Sequence, residues 1–190
     1  SVGLLAMSWK PFVLPESLVS IGNNAFRGSG ITSMTIPNHV RFVGESCFAE
    51  SKNLKSVTMG SGCQELSECI FSDCSTLKDV RLSSGLIKIS DAAFANCTSL
   101  EFISIPGTVV QIGNYCKGSP TTPDSLAFYN CSSLKEVRFE DGVQPIELGS
   151  YCRYYYVYSK YGSSYKYDTD NSYGLFASCP LENVFIGRNI

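Results

Sequence analysis

The apolar positions of this chain repeat in one phrase, which is most complete from Ile89 to Pro106. With x for variable residues, the phrase is I-x-x-x-A-F-x-x-C-x-x-L-x-x-I-x-I-P. Its phenylalanine occurs six times along the chain, at Phe26, Phe48, Phe71, Phe94, Phe128 and Phe176. A recurring phrase of this length is typical of repeat proteins, in which each unit buries its apolar side against its neighbours.

Each unit also predicts one short strand. Two apolar residues separated by one variable residue follow every anchor phenylalanine, as Ile103 and Ile105 do in the phrase above. This alternation is typical of a strand with one buried face. Phe12 and Leu14 fill the same positions in an opening partial unit. We therefore predict an α/β fold, a right-handed leucine-rich solenoid of about seven coils with one parallel β-sheet and short helical or 3₁₀ turns opposite.

Two insertions interrupt the period at matching points of neighbouring units, at about residues 116–126 and 152–174. The second insertion contains most of the tyrosines of the chain. Its alternating tyrosines predict a β-hairpin that stands off the solenoid, and they are Tyr154, Tyr156, Tyr158, Tyr165 and Tyr167. Such side chains offer stiff, amphipathic contact area, although packing against the coil is the alternative. We expect residues 1–190 to form a single domain.

Most of the nine cysteines follow the repeat. Four of them stand three residues after the anchor phenylalanine, at Cys74, Cys97, Cys131 and Cys179. The first interpretation is that they are small buried packing residues. A disulfide between Cys116 and Cys152 is an alternative, because adjacent coils bring matching positions together. A zinc site at Cys63, Cys69 and Cys74 lacks the usual ligand spacing.

Charge and the remaining motifs argue against several classes of function. A net charge of −2 and a pI near 5.4 do not favour nucleic-acid binding. No apolar run is long enough to predict a transmembrane helix. The single histidine, His39, would have to serve any catalytic triad, and no second base accompanies it. We predict no enzyme activity, no cofactor and no metal site.

The outward positions of the predicted strands provide a candidate binding surface. Arg81, Phe102 and Arg138 fall on successive strands of the sheet. Interfaces are enriched in arginine and aromatic residues, so these three predict a recognition patch. The alternative interpretation is an ordinary variable sheet face with local ion pairs.

The full repeat, L-x-x-V-x-I-P-x-x-V-x-x-I-G-x-x-A-F-x-x-C-x-x-L, resembles the BspA-type leucine-rich repeat. Copies in this chain include LPESLVSIGNNAFRG, IPNHVRFVGESCFAE and IPGTVVQIG. The resemblance covers about residues 9–190 apart from the insertions. It implies a secreted or cell-surface protein of bacteria or parasitic protists, with a non-enzymatic role in adhesion to host extracellular matrix or surface proteins.

Two other functions stay open from the sequence. The domain is a structural spacer or self-assembly unit if the terminal coils pair with another copy, since no polar capping repeat follows the strand Val184–Ile186. It is a carbohydrate-binding module if the tyrosine-rich insertion stacks on sugar rings.

Overall fold

The computed structural model describes residues 13–113, 126–148 and 175–187. In these ranges the chain winds through successive coils, and each coil contributes one strand to a first row of parallel strands. The strands of the first row are β2 (Ser33–Thr35), β4 (Ser56–Thr58), β6 (Asp79–Arg81), β8 (Phe102–Ile105), β10 (Glu136–Phe139) and β12 (Asn183–Ile186). They form two three-stranded sheets, β2-β4-β6 and β8-β10-β12, that contact each other between β6 and β8.

A second row of strands lies on another side of the coils, so the prediction of one sheet is wrong. Its strands are β1 (Ser20–Ile21), β3 (Phe42–Val43), β5 (Glu65–Leu66), β7 (Lys88–Ile89), β9 (Gln111–Ile112) and β11 (Glu147–Leu148). They form the parallel sheets β1-β3 and β5-β7-β9-β11. Each strand is two residues long, which gives too little alternation for the sequence pattern to predict.

The third side of each coil is a stack of turns rather than the predicted helical or 3₁₀ segments, and the described residues contain no helix. The backbone N–H groups of this side donate to the next coil. Phe48 N donates to Ile70 O at 2.9 Å, and Glu50 N donates to Ser72 O at 2.8 Å. Because these donors are used between coils, they are not available for the i to i−4 bonds of a helix.

Left-handed backbone conformations also prevent a helix in the turn stack. The residue two before the anchor phenylalanine has φ between 52° and 57° in four coils, at Asn24, Ser46, Cys69 and Ala92. The residue two after the anchor has φ between 53° and 62° in six coils, at Gly28, Glu50, Asp73, Asn96, Asn130 and Ser178. A right-handed helix cannot continue through such residues, so each coil turns sharply on both sides of its phenylalanine.

The core is built from matching side chains of successive coils. The six anchor phenylalanines form a continuous stack, with neighbouring ring centroids 5.1–5.6 Å apart and interplanar angles of 6–25°. The inward residues of both strand rows pack around this stack; Val57, Leu66 and Ile103 are fully buried examples. The spacing between Phe94, Phe128 and Phe176 stays at 5.1 Å although both insertions fall between them.

The cysteines after the anchor phenylalanines form a second ladder, as the packing interpretation predicts. Each Sγ donates to the carbonyl oxygen of the anchor phenylalanine one coil earlier, at 3.0–3.2 Å, and the donors are Cys74, Cys97, Cys131 and Cys179. Ser51 has the same place in an earlier coil and donates to Phe26 O at 2.8 Å. The position therefore selects a small side chain that carries a hydrogen-bond donor.

Candidate protein-binding face

The outward side chains of the first strand row form a continuous surface, which we call the front face. The register aligns the outward side chains within each sheet: Thr35, Thr58 and Arg81 on β2, β4 and β6, and Ser104, Arg138 and Phe185 on β8, β10 and β12. The first two strands, β2 and β4, present small hydroxyl side chains here. Charged and aromatic side chains dominate from β6 onwards.

Arg138 and Phe185 make the central contact of the front face. The two residues are register partners on β10 and β12, and the Arg138 Cζ atom lies 5.1 Å from the centroid of the Phe185 ring. Arg138 Nη2 also lies 3.5 Å from Glu136 Oε1. The guanidinium is thus held between a ring face and a carboxylate, which orients its remaining N–H groups.

Phe102 lies beside this arrangement on β8, where it is the register partner of Glu136. Its side chain is 43% exposed, and that of Phe185 is 47% exposed. On the same strand as Phe102, Ser104 Oγ donates a hydrogen bond to Glu140 Oε1 at 2.8 Å. The structure therefore places two exposed aromatic rings on strands on either side of β10, with an arginine on β10 between them.

Arg81 is also exposed, on β6 next to β8. Its guanidinium makes no ion pair with any residue in the described ranges. The three predicted residues therefore lie on the same face, with Phe102 and Arg138 on paired strands and Arg81 one strand further along.

A column of charged residues precedes the strands and forms one border of the front face. Lys78 pairs with Glu101 at 3.8 Å, and Lys135 pairs with Glu182 at 2.8 Å. The hydrogen bond from Lys135 to Glu182 raises the pKa of the lysine ammonium above its ordinary value. Because each pair joins neighbouring coils, the charges along this border are largely neutralised.

Phe185 is the residue of this face that the sequence interpretation did not select. The repeat phase placed it in the outward column, but its partner depends on the register between β10 and β12. The predicted site residues Tyr154, Tyr156, Tyr158, Tyr165 and Tyr167 lie outside the described residues. Cys116 and Cys152 do as well, so the tyrosine-rich hairpin and the disulfide stay predictions.

The described residues offer little that could perform catalysis. In these ranges no cluster of three or more His, Cys, Asp or Glu side chains could hold a metal ion. Burial raises the pKa of the Cys47 and Cys74 thiols to about 12 and that of Cys63 to about 11. Thiols with such pKa values stay protonated and are poor nucleophiles at neutral pH. No helix that could span a membrane occurs among the described residues either.

Stacked coils with parallel strand rows and a shared apolar interior define a leucine-rich-repeat solenoid. The chain belongs to the BspA-type family of such proteins: residues 6–119 and 116–190 match the model described as BspA type leucine rich repeat region, six copies. The resemblance predicted from the sequence is thereby confirmed. This is a family of repeat domains, which generally bind other proteins and are typically not enzymes.

Solved structures of bacterial leucine-rich repeat proteins are similar to this chain. The Treponema pallidum leucine-rich repeat protein is 25% identical, with a TM-score of 0.56, over 65% of this chain and 54% of that one. A Bacteroides ovatus leucine-rich repeat protein is 24% identical, with a TM-score of 0.47, over 73% and 39% of the two chains. A leucine-rich cell surface protein of Faecalibacterium prausnitzii is 21% identical, with a TM-score of 0.40, over 65% and 46%.

The matched part is about half of each of these structures, or less. No curated protein sequence matches the chain. The repeat model shows the family of this chain, and the Treponema pallidum structure shares its fold.

Proposed function

We propose that this domain is a non-enzymatic protein-binding module of a secreted or cell-surface protein, and that the front face contacts the partner. The observation that carries the proposal is the exposed trio of Phe102, Arg138 and Phe185 on paired strands. Aromatic and arginine side chains supply most of the binding energy in many interfaces. Here short parallel strands hold them, so little conformational entropy is lost when a partner binds.

The chemistry of the face indicates the kind of partner. Arg81 forms no ion pair with any described residue, and Arg138 has donors beyond the one directed at Glu136. An acidic side chain of the partner would pair with either guanidinium, while Phe102 and Phe185 would pack against apolar groups beside it. A host extracellular matrix or surface protein with an acidic, partly apolar segment fits this description, and adhesion is the role that the family resemblance implies.

Binding to immobilised matrix proteins tests the proposal. The front-face variant carries Arg81→Gln, Phe102→Ala and Arg138→Gln. A matched control carries Arg27→Gln, Phe42→Ala and Lys52→Gln, which removes the same kinds of side chain outside the front face. We expect the front-face variant to lose at least ten-fold in affinity for the proteins that the wild type binds, because hot-spot residues typically contribute this much. The control should bind like the wild type.

A third variant lacks residues 152–174 and tests the tyrosine-rich insertion. Loss of binding in this variant alone would move the binding site from the front face to the insertion. Equal losses in the front-face variant and its control would contradict a specific face. A glycan array with the same three variants separates carbohydrate binding through the tyrosines from protein binding.

Self-association is a second candidate because of the apolar side of β12. Val184 and Ile186 are 46% and 43% exposed, whereas their register partners Val137 and Phe139 are buried. Among the described strands, β12 is an edge of its sheet, and such an edge pairs readily with another strand. Sedimentation velocity over a range of concentrations tests this: a Val184→Lys variant should abolish any concentration-dependent dimer, and a monomer at all concentrations would rule it out.

A further inference from the structure

A polar cleft of about 360 Å³ lies between two neighbouring coils, away from the front face. It is formed where the chain passes from the first strand row to the second, after β2 in one coil and after β4 in the next. Its lining residues are Asn38, His39, Arg41, Ser61, Gly62 and Gln64. The lining carries one guanidinium, one imidazole, two amides and one hydroxyl, and no carboxylate.

The repeat does not require cationic side chains at these positions. Inter-coil backbone bonds align Arg41 with Val19, and align Ile87 with Gln64 and Val110. The other members of this column are therefore apolar or uncharged. One coil after His39 the corresponding residue is Gly62. His39 and Arg41 are thus a local departure from the pattern that the fold needs, and packing does not explain them.

Glycine at position 62 lets the two coils that line the cleft approach each other closely. A Cβ atom there would overlap the carbonyl oxygens of Asn38 and Val40, so the backbone of the two coils is in close contact. Asn38 Oδ1 accepts a hydrogen bond from Ser61 N at 3.0 Å. That bond fixes the amide and leaves its NH₂ group as a donor.

Arg41 is available for a ligand. Its guanidinium forms no ion pair with any residue in the described ranges. Glu65 directly follows the lining residue Gln64, and its carboxylate pairs with Lys88 at 3.1 Å rather than with Arg41. The cleft is therefore a donor-rich site without an internal counter-charge.

We propose that this cleft binds a carboxylate-bearing ligand of monosaccharide size, such as a uronic acid. The planar guanidinium of Arg41 pairs with the carboxylate, since its two parallel N–H groups match the two oxygens. The amides of Asn38 and Gln64, the Ser61 hydroxyl and the His39 ring bond the ligand's hydroxyls. The volume lies within the range of small-ligand sites. This site is separate from the front face and does not depend on the function proposed above.

The single histidine of the chain makes the test direct, because its ring signals in an NMR spectrum need no assignment. The tag-free chain is titrated with glucuronate, glucose and acetate at constant pH and ionic strength. We expect a saturable shift of the His39 ring signals with glucuronate. Glucose lacks the charge and acetate lacks the hydroxyls, so each should bind at least ten-fold more weakly.

Two arginine variants distinguish this site from the front face. Arg41→Gln should weaken glucuronate binding by about ten-fold or more, as expected when a charge-assisted hydrogen bond is lost. Arg81→Gln, the matched control, should leave it unchanged. The proposal is overturned if glucuronate gives no saturable shift, if glucose or acetate binds equally well, or if Arg41→Gln has no effect in a chain whose amide spectrum shows it folded.

Discussion

The Sγ atom of Cys97 lies 3.2 Å from the backbone oxygen of Phe71, one coil earlier, and the thiol donates a hydrogen bond to that oxygen. The same oxygen accepts the N–H of Cys74 at 3.2 Å. One anchor carbonyl thus serves its own coil and the following one. This relationship makes the cysteine ladder a hydrogen-bonded feature as well as a packed one.

Replacing Cys97 separates these two contributions. Cys97→Ala removes the donor and leaves a small void, so the free energy of unfolding should fall by about 1–3 kcal/mol. Cys97→Ser keeps a donor, as Ser51 does in its own coil, and should lose less. Urea denaturation of both variants measures the difference, and a serine variant no more stable than the alanine variant would mean that the hydrogen bond contributes nothing.

Alkaline pH should destabilise the fold through the buried thiols. Cys47, Cys63 and Cys74 have pKa values near 12, 11 and 12 in the folded chain, against an ordinary value of 9.0. Below pH 9 both states keep these protons, so the stabilisation is fully present. Between pH 9 and 11 only the unfolded chain loses them, and each thiol lowers the free energy of unfolding by about 1.4 kcal/mol per pH unit.

Urea denaturation under reducing conditions at pH 8 and pH 10 measures this loss. Cys47→Ala is the control, because Ala25 and Ala93 occupy the same position in other coils. The Cys47→Ala variant should lose less free energy of unfolding between pH 8 and pH 10, because one of the buried thiols is gone. Titration of tyrosine and lysine side chains affects both proteins alike. Identical losses in the two proteins would show that Cys47 is not protonated preferentially in the folded state.

Ser46 is held in the left-handed region at φ 52°, where glycine is free of steric strain. Ser46→Gly should therefore raise the free energy of unfolding by about 0.5–1 kcal/mol. Ser46→Ala keeps the strain and should give no gain. Thermal unfolding compares these variants with Ser20→Gly in β1, which should lower stability because a strand glycine loses more entropy on folding.

Gly60 lies where the backbones of two coils approach each other closely. A Cβ atom at this position would overlap the carbonyl oxygen of Pro37, and backbone atoms cannot move aside as a flexible side chain does. Gly60→Ala should therefore lower the free energy of unfolding by about 1–3 kcal/mol. At Gly22 a Cβ would meet nothing within 4 Å, so Gly22→Ala is the matched control and should change stability little. Similar effects at both glycines would contradict the close approach.

The buried side chains of the repeat could be predicted from the sequence. The phase of Phe94, Cys97 and Ile103 recurs along the chain, and one stacking geometry buries most of its copies. The second strand row could not be predicted, because Lys88–Ile89 supplies only one inward residue per strand. The helical turns were predicted wrongly, since left-handed residues as different as Cys69 and Ala92 share no sequence signature.

The exposed side chains and their contacts could be predicted only in part. Arg81, Phe102 and Arg138 lie on the face that the repeat phase assigned to them. The contact between Arg138 and Phe185 depends on the register of strands separated by an insertion of variable length, which no local pattern encodes. The cleft at His39 and Arg41 likewise depends on how two neighbouring coils lie against each other, since Ser61, Gly62 and Gln64 of the next coil complete its lining.

The unchanged 5.1 Å spacing from Phe94 to Phe128 and from Phe128 to Phe176 has a practical consequence. In two successive coils an insertion follows the second strand, and the described chain resumes in phase at Leu126 and Leu175, so added length there does not alter the pitch. The same two positions are therefore suitable insertion sites for foreign peptides. Two epitopes displayed there would emerge from adjacent coils, on a support whose own assembly does not depend on what they contain.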